Sequence, residues 1–120
     1  MGTMRQLSEI LEEIADGPAV RFAALVTKDG FVIESSASAS EGDEMAASRA
    51  AQVFSAAESA GEELQGGEPR QIVTKYQKGL LVVDCLDSET LLVSAVANES
   101  SMAWIKFAVG KCLPELSQRL

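Results

Sequence analysis

The stretch Leu80–Asn98, LLVVDCLDSETLLVSAVAN, decides the fold. In an extended chain Leu80 and Val82 fall on one face, and Leu81, Val83 and Cys85 on the other. After the turn signal Asp87-Ser88-Glu89, the run TLLVSAVA repeats the pattern, with Leu91 and Val93 opposing Leu92 and Val96. Strands that are apolar on both faces need cover above and below. Leu80–Leu86 and Thr90–Ala97 are therefore expected at the centre of a sheet with helices on both sides.

A strand over Arg70–Gln77 precedes them, joined by the turn pair Lys78-Gly79. Its residues Ile72 and Tyr76 share one face while Lys75 breaks the other, which suits an edge. Further back, VRFAALV within Val20–Lys28 is again apolar on both faces. Phe31–Ser35 turns polar after Ile33 and reads as the other edge. Asp29-Gly30 between these two strands is a type I′ hairpin signal. Two hairpin-joined groups with those edges give an all-antiparallel five-stranded sheet of order 2-1-5-4-3.

Three helices supply the cover. The first is expected over Met4–Asp16, with Met4, Leu7, Leu11 and Ile14 as its apolar stripe. Thr3 and Gln6 form its capping box, and Gly17-Pro18 stops it. The second spans Glu41–Gln65 with Ser40 as N-cap. Glu41, Asp43 and Glu44 sit in its first turn, where the helix dipole favours negative charge, and Gly66-Gly67 ends it. Its inner stripe reads Ala46, Ala50, Val53, Ala57, Ala60 and Leu64, with Phe54 and Gly61 alongside. Its outer ridge reads Ser48, Ala51, Ser55 and Ser59, flanked by Ala47. That ridge is nearly bare of long side chains, so a partner can approach closely at little cost in side-chain entropy. The third helix starts after Asn98 or Ser100 and runs to about Leu116, with Pro114 expected to kink or interrupt it. The order is αββαβββα, an α/β (α+β) three-layer α/β/α sandwich, with residues 1–120 read as a single domain.

The chain of 120 residues is 47% hydrophobic and 23% charged, with a formal net charge of −8. That acidity repels phosphate backbones and anionic membranes, so no nucleic acid partner is expected. No apolar run reaches transmembrane length, and the N-terminus lacks the pattern of a signal peptide. Gly2 invites a myristoylation reading, but Gln6 stands where Ser or Thr is needed. A cytoplasmic location without membrane insertion follows as the expectation.

The chain has no histidine. That removes the commonest general base and every Ser-His or Cys-His pair. Two cysteines without histidine make no usual zinc site. Neither a P-loop nor a dinucleotide glycine fingerprint is present. The expectation is no enzyme activity, no catalytic residue, no cofactor and no metal. Cys85 and Cys112 read as small buried hydrophobes, with a thiol enzyme as the competing reading. The adjacent carboxylates Glu12-Glu13 and Glu62-Glu63 read as solvated surface. Asp84 interrupts a central strand and is expected to pair with Lys106 or Lys111. Arg49 suits a rim salt bridge, with an arginine finger as the sharper alternative. Trp104 and Phe107 read as core or helix-one contacts.

The element order, the early DGFVIESS segment, the Ala-rich second helix ending in Gly-Gly and the Leu80–Asn98 block resemble the roadblock/LC7 superfamily. The bacterial and archaeal branch related to the polarity regulator MglB is similar over roughly Leu7–Leu116. The resemblance implies a profilin-like fold and a homodimer in which edge strands pair and second helices lie side by side. It implies partners among small Ras-like GTPases, dynein-type motors or sister domains, with GTP hydrolysis stimulated by organising the GTPase's own residues. It carries no catalytic residue over. Its partner-binding region maps onto Ala47, Ser48, Ala51, Ser55 and Ser59, and its dimer contact onto Ile72, Thr74 and Tyr76. The expected function is a regulator or scaffold that modulates a GTPase's nucleotide cycle. The alternative is a small-molecule-sensing or general protein-interaction domain, for which Asp84, Ser94 and Thr74 are the candidate pocket polar groups.

Overall fold

The computed structural model describes residues 5–119. Its elements run α1 (Leu7–Ala15), β1 (Val20–Thr27), β2 (Val32–Ser35), α2 (Glu41–Leu64), β3 (Gln71–Tyr76), β4 (Gly79–Cys85), β5 (Thr90–Val96), a 3-10 turn (Glu99–Ser101) and α3 (Met102–Arg119). The sheet has the order β2-β1-β5-β4-β3 with every pair antiparallel. Both features match the expectation, because the two-faced strands had only one way to be central.

The two faces hold separate cores. Ile10, Leu11 and Ile14 of α1 pack with Ile105, Ala108, Cys112 and Leu116 of α3 over Leu25, Val82 and Leu92. On the opposite face Phe54, Ala47, Ala50 and Ala51 of α2 pack over Phe22, Val26, Val83, Leu91 and Val93. Burying each of the large side chains contributes roughly 1.5–3 kcal/mol.

Several local readings change. The N-cap of α1 is Gln6, whose backbone N–H donates to Glu9 Oε1 at 3.2 Å; Thr3 and Met4 lie outside the described residues. The β1–β2 turn is not type I′, since of its two central residues only Gly30 has positive φ, at 96°. Gly30 N–H donates to Thr27 O at 2.9 Å and Thr27 N–H to Phe31 O at 2.8 Å. That is a three-residue loop closed by a left-handed glycine. The β4–β5 turn is held by Asp87, whose Oδ1 accepts from Glu89 N–H and Thr90 N–H at 2.8 Å each. The Glu89 bond leads in holding the Asp87 carboxyl below its usual pKa. Gln65, not a glycine, takes the left-handed C-cap of α2, with Gly66 N–H reaching back to Gly61 O at 2.9 Å.

Pro114 does not interrupt α3, which continues to Arg119. Leu116 is buried beyond it, and Arg5 bridges Glu13 of α1 to Glu115 of α3. These contacts outweigh the loss of one helix bond. Glu13 also meets Lys111 Nζ at 3.3 Å, and Glu12 accepts from the Ala37 N–H. The Glu12-Glu13 pair is thus structural, where solvated surface was expected. Trp104 packs on helix one as expected, donating from Nε1 to Ile14 O at 2.9 Å. Phe107 does not, being 61% exposed.

Gly17 sits against that indole. A Cβ there would lie 1.8 Å from Trp104 Nε1. Gly17→Ala is therefore expected to displace the ring, break its bond to Ile14 and cost roughly 1–3 kcal/mol in urea denaturation. Gly42→Ala, whose Cβ meets nothing nearer than Ser40 Oγ at 3.7 Å, should leave stability unchanged or raise it.

Candidate interaction site

The second helix is rotated from its expected setting. Asp43, Ala47, Ala50, Ala51 and Phe54 are buried against the sheet, whereas Ala46, Val53, Ala60 and Leu64 of the expected inner stripe are exposed. Ala47 and Ala51 therefore cannot form part of an outward platform. Ser48 is half-buried, and its hydroxyl donates to Gly30 O at 2.6 Å, pinning the β1–β2 loop. Ser55 and Ser59 are exposed, as expected. Phe54 sets this rotation by filling the space above Phe22 and Val83. Asp43 reinforces it: Oδ1 meets Arg21 Nη2 at 2.8 Å and Oδ2 accepts from Ser40 N–H at 3.0 Å. A pair 22 positions apart gives no signal in the sequence.

α2 lies chiefly over β1, β2 and β5. The same face of β3 and β4 carries Ile72, Thr74, Leu81 and Cys85, all half-buried, and Tyr76, 60% exposed. The expected dimer residues thus line one open trough beside the helix. At its lower end a cleft of about 350 Å³ opens between the start of α2 and the β3–β4 hairpin. Arg21, Asp43, Ala46, Tyr76, Lys78 and Leu81 are among its walls. Sequence reasoning missed this cleft, since its walls come from four separate segments.

The flanks of α2 differ. Ala46 faces the β3–β4 hairpin across the cleft. On the other flank Lys28 Nζ meets Glu58 Oε2 at 3.3 Å and lies 5.1 Å above the Phe54 ring. Burial works against the Lys28 charge, but Glu58 outweighs it and the pKa is raised. Arg49 is exposed and makes no ion pair among the described residues.

The candidate pocket groups are not brought together. Thr74 faces the trough, while Ser94 Oγ is buried and unpaired on the other side of the sheet. Asp84 pairs with neither Lys106 nor Lys111. Gln71 Nε2 donates to its Oδ1 at 2.7 Å instead, because Gln71 is its register partner on β3. Cys85 and Cys112 lie in cores on opposite faces. Burial pushes both thiols above their usual pKa, the reverse of what a nucleophile needs.

A model of the Roadblock/LC7 domain matches residues 6–95. The chain belongs to the Roadblock/LC7 family. No curated protein matches it in sequence. Among solved structures, a Roadblock/LC7 domain from Streptomyces avermitilis is 24% identical with a TM-score of 0.78, covering 94% of this chain and 99% of that one. MglB from Myxococcus xanthus is 19% identical with a TM-score of 0.79, covering 95% and 96%. An MglB solved in a tetrameric arrangement is 21% identical with a TM-score of 0.79, covering 92% and 85%. This Roadblock/LC7 chain thus shares its fold with MglB proteins.

Burial raises the Asp84 pKa, and the Gln71 bond offsets this only in part; its Oδ2 has no partner. A raised acid pKa means that the folded state disfavours the carboxylate. The penalty is absent below the ordinary value of 3.8 and complete above the raised one. Asp84→Asn, which keeps an acceptor for Gln71, is expected to raise the melting temperature at pH 7, with the gain vanishing below pH 3.8.

Proposed function

We propose that this protein is a non-catalytic, cytoplasmic homodimeric regulator or scaffold that binds a small Ras-like GTPase and modulates its nucleotide cycle. The observation that carries the reading is the unequal cover of the sheet. α1 and α3 share one face, while α2 alone serves the other and leaves the β3–β4 trough open. Bare apolar sheet beside a helix is what a second copy's helix would cover.

The two sheet edges support the same conclusion. β2 is four residues long, carries exposed Glu34 and is opposite an irregularity at Leu25/Val26. Short length, charge and bulging all blunt an edge. β3 is six residues long, keeps a regular register with β4 and has no proline. Antiparallel pairing of β3 with its own copy about a two-fold axis satisfies that edge. The family membership and the tetrameric arrangement of a related MglB fit self-association.

The GTPase part rests on the resemblance to the MglB branch. The solvent face of α2 that remains in such a dimer presents Met45, Gln52, Ser55, Ala56 and Ser59, all exposed. Catalysis by this chain itself has little to draw on, with no histidine and two thiols of raised pKa.

Two measurements test the proposal. Light scattering of the purified chain should give twice the monomer mass, and Thr74→Lys, which sets like charges side by side across the axis, should give single subunits. Ser55→Arg with Ser59→Arg should keep the dimer and lose capture of the small GTPase encoded nearest to it. Unchanged capture would overturn the GTPase assignment, and single subunits from the unmodified chain would overturn the dimer.

A further inference from the structure

The outward face of α3 lies on the opposite side of the sheet from the trough, so its state does not depend on the dimer proposed above. The helix turns Ile105, Ala108, Cys112 and Leu116 into the core. Trp104 and Lys111 turn to α1, where Nε1 donates to Ile14 O at 2.9 Å and Nζ meets Glu13 at 3.3 Å. What remains is a crest of Ala103, Phe107, Gly110 and Pro114, with Lys106 and Leu113 in the next row. All six are exposed.

Two features of this crest serve nothing within the subunit. Phe107 is 61% exposed, with its ring 6.0 Å from that of Trp104. Leu113, exposed at 36%, stands three residues beyond Gly110, as Phe107 stands three before it. Gly110 is the second feature. A glycine inside a helix weakens it relative to alanine. Gly110 has no positive φ to require it, and a Cβ there would meet no atom within 4 Å. Gly17, by contrast, is held to glycine by the Trp104 ring. The missing side chain leaves a notch between Phe107 and Leu113, where another backbone can come close. The crest extends over about three turns, which suits a second helix packed against it.

Charge selects among occupants. The chain carries a net −8, yet the exposed residues of α3 include Lys106 and Lys111 and, among the described residues, no carboxylate. Lys106 makes no ion pair among the described residues. Lys75 of β3 adds a cation to the same side of the sheet, since its register partner Leu80 belongs to the α1–α3 core. A second copy docked crest to crest would oppose lysine to lysine. A flat anionic membrane would also meet Glu9 and Asp16 in the neighbouring α1 layer, both exposed. A single acidic helix avoids both conflicts.

We propose that the α3 crest centred on Gly110 docks an acidic amphipathic helix of another protein. Its apolar side chains sit between Phe107 and Leu113, and its carboxylates face Lys106 and Lys111.

Trp104 is the chain's one tryptophan, and its place beside Phe107 makes its fluorescence the readout. The probe is a stapled helical peptide with leucines along one side and glutamates flanking them. Its twin carries lysine for every glutamate. The acidic peptide is expected to change Trp104 emission saturably, and the basic one to leave it unchanged. Lys106→Glu and Gly110→Leu should each weaken binding about tenfold or more with the melting temperature retained. Gly110→Ala should melt higher yet bind the peptide more weakly; a higher melting temperature with equal binding overturns the notch. An absent response to the acidic peptide, or equal binding of the two peptides, overturns the site. Two other results reassign the face and overturn the proposal as well. A fall in mass by light scattering on Phe107→Glu makes the occupant a second copy. Binding to phosphatidylserine vesicles that Lys106→Glu abolishes makes it a membrane.

Discussion

Strands β4 and β5 carry bulky aliphatic side chains on both of their faces, and the rest of the molecule is shaped by the need to keep water off both. One face is served by two helices whose side chains interlock through Ile14, Ile105 and Leu116. The other has a single helix, half of whose residues are Ala, Ser or Gly. Alanine brings α2 close to the sheet but gives it little breadth. Phe54 alone reaches deep between Phe22 and Val83. The cover on this face therefore stops short of β3, and the chain is left with a sheet half-dressed on one side. The candidate interaction site is a consequence of that shortfall rather than an addition to a finished fold.

The sheet was legible in the sequence because its signals are strong and local. Short unbroken runs of Leu and Val bounded by turn signals read as strands buried on both faces, and the two edge strands differed visibly from the rest. The rotation of α2 was not legible. Alanines at 46, 47, 50, 51, 56, 57 and 60 lie on nearly every side of the helix, so the apolar pattern has almost no direction. Val53 and Phe54 are neighbours, and choosing the wrong one turns the helix by about 100°. Apart from Ala50, which is buried against the sheet, the stripe assigned to the sheet proved to be the flank beside it. Asp43, the strongest clue to the true setting, reads as an ordinary first-turn acid until Arg21 is placed across from it.

Distant pairings account for the other differences. Asp84 takes Gln71 as its partner because β3 and β4 align them, and register is invisible before the hairpin is built. Glu12 and Glu13 look like surface charge on α1, yet one holds the Ala37 amide and the other joins Arg5 to Lys111. In each case a side chain judged by its neighbours in the chain was claimed by a neighbour in space.

Pro114 offers no amide hydrogen to the Gly110 carbonyl one turn earlier, and both residues are exposed. The backbone ladder of α3 is thinnest there. The turns beyond it are retained by Leu116 in the core and by Arg5 gripping Glu115 from the opposite end of the polypeptide. The closing turns of α3 and the residues leading into α1 consequently behave as a clasp. Arg5 and Glu115 tie one half to the other, so loosening either weakens the hold on its counterpart.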